Sequence, residues 1–398
     1  MTGQGMRSRL PDVGTTIFTV MSRRALELGA VNLGQGFPDY PIDPRLGELV
    51  AEAMAQGHNQ YAPMPGVPRL QDAIAAQLVA RYGIALDARA TVTVTLGATE
   101  AIFSAAQALL APGDEAIVFD PAYDSYDPAI RLAGARCVHI PLQPPLFRYD
   151  WERVRSAVNA RTRLIIINSP HNPACTVLGA ADLDELAAIV TARPSGQELY
   201  VLSDEVYEHV VYAGSRHCSV LGHPALAPHS IAVFSFGKSL HATGLRVGYA
   251  VAPPELTVEL RKVHQFNTFT IATAFQAAIA QYLEEKPAAF AGLADFFTAR
   301  RELLTRLLAP GPLRVLPAQG TYFQLVDYAD CAALAGLDDM QAATVLLEQG
   351  GVATIPLSPF YRKPPRHSLL RLCFAKRDDT LQRAAERLLA FGRGEPLP

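Results

Sequence analysis

Long apolar runs, paired cysteines and blocks of like charge are all scarce in this sequence, and each scarcity removes a class of protein. No stretch approaches the ~18 uninterrupted apolar residues that a membrane-spanning helix needs, so no span is expected. The opening MTGQGMRSRLPDVGTT has two arginines but no apolar run behind them, and is not expected to be a secretory signal. The 5 cysteines (Cys137, Cys175, Cys218, Cys331 and Cys373) are odd in number, widely spaced and without a C-x-x-C pair. No disulfide framework and no metal site is expected from them, and a cytoplasmic location fits. Lysine and arginine number 35 against 38 acids, a net charge of −3 with no basic block. Neither nucleic acid nor a membrane surface is therefore expected as a partner.

At 398 residues the chain is too long for one hydrophobic core, so two domains are expected. No internal repeat or low-complexity segment interrupts it. From about residue 90 to 251, β-rich runs alternate with helical patterns such as Thr99–Leu110 and Asp182–Ala192. The expected strands are Ala90–Leu96, Glu115–Phe119, Leu164–Asn168, Tyr200–Ser203, Ile231–Phe236 and Val247–Val251. Runs such as LIIIN and IAVFSF are apolar at successive positions, as in strands covered on both faces. The alternation predicts a mostly parallel sheet in an α/β domain. Beyond residue 280, helical segments near 286–308 and 377–391 surround strands expected at Tyr322–Val326, Val352–Ile355 and Leu369–Phe374, a smaller α+β domain. The expected division is 1–44 as an N-terminal arm with part of the small domain, 45–280 as the large domain, and 281–398 as the small C-terminal domain.

Open α/β sheets bind ligands at the carboxyl ends of their strands. After the first strand comes Gly97-Ala98-Thr99-Glu100 and a helix pattern. Gly97 permits a tight turn, Thr99 can cap the helix, and free N–H groups at a helix N-terminus suit a phosphate. Further on, Tyr123 either offers a ring face to a flat ligand or packs in the core. The prolines of Ser169-Pro170-His171-Asn172-Pro173 fix an extended loop that either aims the Asn172 amide into a site or is a plain turn. Asp204, at the end of an apolar strand, is costly to bury unless a cation such as a protonated ring nitrogen meets it. Lys238 follows another apolar strand, with Arg246 eight residues later. A lysine there can lose its proton and form an imine, although a single lysine is more often a surface residue. As a set, at successive strand ends, these groups are what pyridoxal 5'-phosphate (PLP) requires: an imine-forming lysine, an acid for the pyridine nitrogen, donors for the ring oxygen and several groups for the phosphate.

The same residues lie in motifs that resemble the class I/II aminotransferases, the PLP enzymes of fold type I, over essentially the whole chain. The motifs are NLGQGFPDY (32–40), YAPMPGVPRL (61–70), TLGATEA (95–101), DPAYDSY (120–126), NSPHNPA (168–174), SDEVYEH (203–209), SFGKSLHATGLRVGY (235–249) and RLCFAK (371–376). LGQGFPDY, YAPMPGVPRL and DPAYDSYDPAI are most similar to the methionine and the kynurenine/glutamine aminotransferases. The resemblance implies a PLP-dependent transferase fold of type I, with the large domain binding PLP. It implies that Lys238 holds PLP as a Schiff base and later moves the substrate Cα proton, and that Asp204 pairs with the pyridine nitrogen. Asn172 and Tyr207 would bond the ring oxygen and Tyr123 would stack on the ring. Gly97 and the backbone of Ala98 and Thr99, with Ser235 and Arg246, would hold the phosphate. Tyr61 would reach it from a neighbouring subunit, which implies a homodimer with shared sites. Arg371 would take the substrate α-carboxylate as a bidentate pair, assisted by Gly36 and Asn172.

Phe18, Tyr61, Tyr123, Phe269 and Phe266 would surround the substrate side chain, and such a pocket suits methionine and aromatic or apolar amino acids. The implied reaction is ping-pong transfer of their amino group to a 2-oxo acid. The nearest alternative is a PLP-dependent cysteine-conjugate or cystathionine β-lyase. A regulator with an aminotransferase-like domain is not expected, because the motifs begin near residue 32. A nicotinamide-dependent dehydrogenase is not expected either: Gly34-Gln35-Gly36 lacks a third glycine and no helix pattern follows.

Overall fold

The run Leu164-Ile165-Ile166-Ile167 contains no polar position because both of its faces are covered. Leu164 and Ile166 enter one apolar core, Ile165 and Ile167 another, and all four are at most 1% exposed. The computed structural model describes residues 7–194 and 196–398. Strand β1 (Val31–Asn32) lies apart from the large sheet. That sheet comprises β2 (Val92–Thr95), β3 (Glu115–Asp120), β4 (Arg136–Pro141), β5 (Thr162–Asn168), β6 (Tyr200–Asp204), β7 (Ser230–Ser235) and β8 (Gly248–Val251). Their spatial order is β2-β8-β7-β6-β5-β3-β4. β8 runs antiparallel to β2 and β7, and the other pairings are parallel.

The expected strands are present with ends shifted by a residue or two. Ala90 and Thr91 belong instead to a helical turn, Ala88–Thr91, capped by the Asp87 carboxylate. β4 was not expected, since Arg136, Cys137 and His139 break the apolar run on this edge strand. The helices Gly97–Leu109 and Pro254–Asn267 cover one face of the sheet. The helices Pro68–Tyr82, Ala180–Thr191 and Thr273–Glu285 pack into the core on the other.

The second sheet has the order β12-β13-β10-β9, all antiparallel: β9 (Arg314–Val315), β10 (Phe323–Asp327), β12 (Ile355–Pro356) and β13 (Leu369–Cys373). The single strand expected at Val352–Ile355 is divided at Thr354. Its first half, β11 (Val352–Ala353), pairs in parallel with β1, so the N-terminal arm joins the C-terminal part of the chain. The helices Leu293–Leu308 and Asp378–Arg393 occupy the expected places. A further helix, Asp339–Glu348, starts with a reciprocal cap between Asp338 and Gln341. Among the described residues no helix is long and apolar enough to cross a membrane.

Candidate active site

The parallel strands deliver their last residues to one edge of the sheet. Asn168 ends β5 and Asp204 ends β6, directly opposite one another in register. Ser235 ends β7, and Lys238 follows in the helical turn Phe236–Ser239. A cleft of about 860 Å³, counting its open mouth, gathers Lys238, Asp204, Tyr207, Asn172, Tyr123, Ala98, Thr99, Ser235, Arg246, Arg371, Gly36 and Phe18.

The turn after β2 is shaped by contact. Gly97 has φ +72°, and a Cβ there would stand 2.7 Å from Arg246 Nη2, so a side chain would be strained and would push the guanidinium off the turn. Across it, a Cβ on Gly248 would be 2.8 Å from the Ala98 nitrogen. The N–H groups of Gly97, Ala98 and Thr99 begin a helix and have no carbonyl one turn back. With Ser235 and Arg246 they form a cationic, donor-rich cradle suited to a phosphate dianion.

Asp204 is 4% exposed, and burial pushes its carboxyl up to about 6. Tyr126 Oη opposes that shift by donating to Asp204 Oδ2 at 2.6 Å, so the group is still mainly an anion at neutral pH. Asn168 donates to the Asp204 carbonyl at 2.8 Å, and its own side-chain oxygen accepts from the Asn172 N–H at 2.7 Å. The two loops are thereby set against each other. Tyr207 is buried, which raises its phenol well above the ordinary value and keeps it a hydrogen-bond donor.

Burial lowers Lys238 to about 8, which brings the neutral amine within reach of ordinary pH. Its Nζ donates to the Gly36 carbonyl at 3.3 Å and lies 5.8 and 5.7 Å from the ring centres of Tyr207 and Tyr322. Tyr322 Oη donates to the same carbonyl at 2.7 Å.

Arg371, central in β13, is 1% exposed. Nη1 donates to Asn172 Oδ1 at 2.7 Å and Nη2 to the Gly34 carbonyl at 2.8 Å. The guanidinium lies 3.9 Å from the centre of the Phe323 ring and 5.0 Å from that of Phe18. Its Nε has no partner among the described residues. A buried cation at the cleft wall suits an incoming carboxylate.

Tyr61 and Phe269 do not line the cleft of their own chain. They meet edge to face at 5.4 Å on the surface and are 85% and 37% exposed, beside a 90% exposed Phe266. Tyr126, Asn168, Tyr322 and Phe323 are site residues that motif reading passed over. Tyr126 and Asn168 lie inside motifs and could have been weighed from their places, three residues after Tyr123 and at the end of β5. Tyr322 and Phe323 carried only an apolar-strand signal.

The residues present fit PLP. A buried acid suits a cationic ring nitrogen, a lysine depressed by burial shares the cleft with that acid and a buried arginine, and a Cβ on Gly97 would meet the Arg246 guanidinium. That combination defines an enzyme that handles the amino group of a small carboxylic acid. Residues 29–388 match the family "Aminotransferase class I and II". The chain is 48% identical to a methionine aminotransferase of Escherichia coli (strain K12) over 382 residues, 96% of this chain and 97% of that one. It is 31% identical to kynurenine–oxoglutarate transaminase 1 of Mus musculus, with 100% of each chain covered. Among solved structures it resembles YbdL from Escherichia coli, described as having a methionine aminotransferase function, with TM-score 0.92 and coverage of 96% and 98%. N-succinyldiaminopimelate aminotransferase from Mycobacterium tuberculosis superposes with TM-score 0.91 at 40% identity, covering 97% and 99%. The chain belongs to the class I and II aminotransferases, and its cofactor is PLP.

Proposed function

We propose that this aminotransferase takes the amino group of methionine or of aromatic and apolar amino acids and passes it to a 2-oxo acid in a ping-pong cycle. The observation that carries the substrate end is Arg371, a buried guanidinium held by Asn172 and Gly34 on the wall of the cleft that also holds Lys238. The side-chain preference rests on Phe18 and Tyr123 in the cleft and on the 48% identity to a methionine aminotransferase.

PLP, when bound, supplies the electron sink for the pair left on Cα. Lys238 is the residue that holds it covalently and, as a free amine, takes the Cα proton onto Nζ. Asp204 holds the proton on the ring nitrogen by opposing it with a carboxylate. Asn172 and Tyr207 present donors to the ring oxygen and Tyr123 presents its ring. Gly97, Ala98, Thr99, Ser235 and Arg246 receive the phosphate. Arg371, with Gly36 and Asn172, fixes the substrate carboxylate so that the Cα–H bond points at Lys238.

The enzyme acts as a cytoplasmic homodimer in which Tyr61, Phe269 and Phe266, exposed on the free chain, meet the partner subunit and complete its site. We divide the chain at 1–44, 45–280 and 281–398, a division supported by the pairing of β1 with β11.

The test is the visible absorption of the PLP-loaded protein, followed while methionine and then a 2-oxo acid are added. Bleaching by methionine and recovery with the oxo acid is the expected result. A spectrum indifferent to methionine but responsive to aspartate refutes the preference. Pyruvate and ammonia released from a β-substituted amino acid without an oxo acid assigns the β-lyase instead.

A further inference from the structure

Behind the loop that carries Tyr123, and outside the cleft, a second cavity opens over β3 and β4. Cys137 and His139 are two residues apart on β4, so their side chains stand on one face of the sheet. Asp127, in the first turn of the helix Tyr126–Leu132, faces them. One ligand atom from each of the three lies within 4.8 Å of the others. His139 Nε2 is 3.5 Å from Asp127 Oδ1, and its Nδ1 is 2.8 Å from Asp120 Oδ1. A carboxylate behind the imidazole is the arrangement that orients metal-bound histidines; here, against the opposing effect of burial, the carboxylates of Asp120 and Asp127 hold the ring protonated, so a metal on Nε2 takes the place of that proton. Asp120 is itself fixed, being 2% exposed with its other oxygen accepting from the Arg362 N–H at 2.8 Å. The second oxygen of Asp127 accepts from Arg131 Nη1 at 3.0 Å, which leaves Oδ1 turned to His139.

We propose that Asp127, Cys137 and His139 form a binding site for a zinc-like divalent metal, with Asp120 as the residue that orients His139. One sulfur, one nitrogen and one oxygen donor select a borderline-soft ion such as Zn²⁺ over Mg²⁺ or Ca²⁺. Three protein ligands leave the fourth position open to the cavity. Aspartate and thiolate together offset a dication, and Asp12, Asp114 and Asp120 share the cavity with Arg131, Arg136, Arg153, Arg362 and Lys363. The proposed site departs from the expectation of no metal. It escapes spacing rules because Cys-x-His on a strand is completed by an acid from the preceding helix. It also touches the active site, since Tyr126, the neighbour of Asp127, bonds Asp204.

Equilibrium dialysis of the PLP-loaded enzyme against Zn²⁺, read by elemental analysis, is expected to give one zinc per chain. Cys137→Ser and His139→Asn are each expected to lose it, and Cys218→Ser to keep it. Asp120→Asn is expected to bind about 10–100-fold more weakly. In the unmodified enzyme Zn²⁺ should slow iodoacetamide labelling of Cys137 by about tenfold or more, with Cys218 as the unaffected internal control. This second reading stands even where a variant fails to fold. Absence of bound zinc, zinc retained unchanged by C137S and H139N, or no protection of Cys137 overturns the proposal.

Discussion

Replacing Tyr126 with phenylalanine removes a single oxygen from a fully buried position, and the consequence can be worked out from one hydrogen bond. Tyr126 Oη donates to Asp204 Oδ2 at 2.6 Å, and that bond favours the carboxylate over the acid. A hydrogen bond to a buried charged group is worth about 1.5–3 kcal/mol, so its loss raises the Asp204 midpoint by about 1–2 pH units. The sign is fixed: burial has already raised this carboxyl to about 6, the bond held it down, and without the bond it rises further. Asp204 must be ionised to receive a cationic ring nitrogen, so PLP affinity falls as pH drops through the midpoint. For a rise of about 1.5 units the variant's ionised fraction at pH 6.5 is about eightfold below that of the parent, and the two converge above about pH 9. The assay is PLP titration into apoenzyme from pH 5 to 9, read by the visible absorption of the complex. Comparison at matched pH cancels the ionisations of PLP itself and of Lys238. Equal PLP affinity for the folded variant and the parent at every pH would falsify the role given to Tyr126.

Three further outcomes are expected. Lys238→Ala should abolish turnover while leaving the protein folded, checked by activity and circular dichroism together. Arg371→Lys loses the fork that grips a carboxylate, and should raise KM for the amino acid by about 10–100-fold, with a smaller change in kcat. Gly97→Ala sets a Cβ against Arg246 at a positive φ, and should weaken PLP binding while the melting temperature changes by only a few degrees. PLP affinity equal to that of the parent would refute the close-contact reading of the turn.

The large sheet was legible because burial on both faces confines polar residues to the ends of β5, β6 and β7, and a run such as LIIIN is too short for a buried helix and too apolar for a loop. β4 was not, because an edge strand carrying Arg136, Cys137 and His139 tolerates polarity that a central strand does not. The division at Thr354 was hidden for a related reason: both halves are apolar and buried, and only pairing with different partners separates them. In the site, motifs located the groups that face the cleft but not those behind them. Tyr126 acts on Asp204 across 78 positions and Tyr322 on Gly36 across 286, and neither distance leaves a local trace. Tyr61 and Phe269 lie outside the cleft of their own chain and are exposed, surface that the proposed homodimer would cover.

Arg371 is tied to residues 199 and 337 positions away in the chain, stacked between aromatic rings and buried almost completely. A free arginine side chain carries about 2 kcal/mol of rotamer entropy, and here that freedom was surrendered during folding rather than at the encounter with a ligand. Any carboxylate docking there meets a rigid gauge instead of a flexible arm. In its proposed role, a gauge that cannot lengthen or swing would read every amino acid at the same distance from Lys238. Tolerance for one amino acid over another must therefore be written at the far end of the substrate, in surfaces such as Phe18 and Tyr123, where a change of side chain leaves the reacting carbon in place.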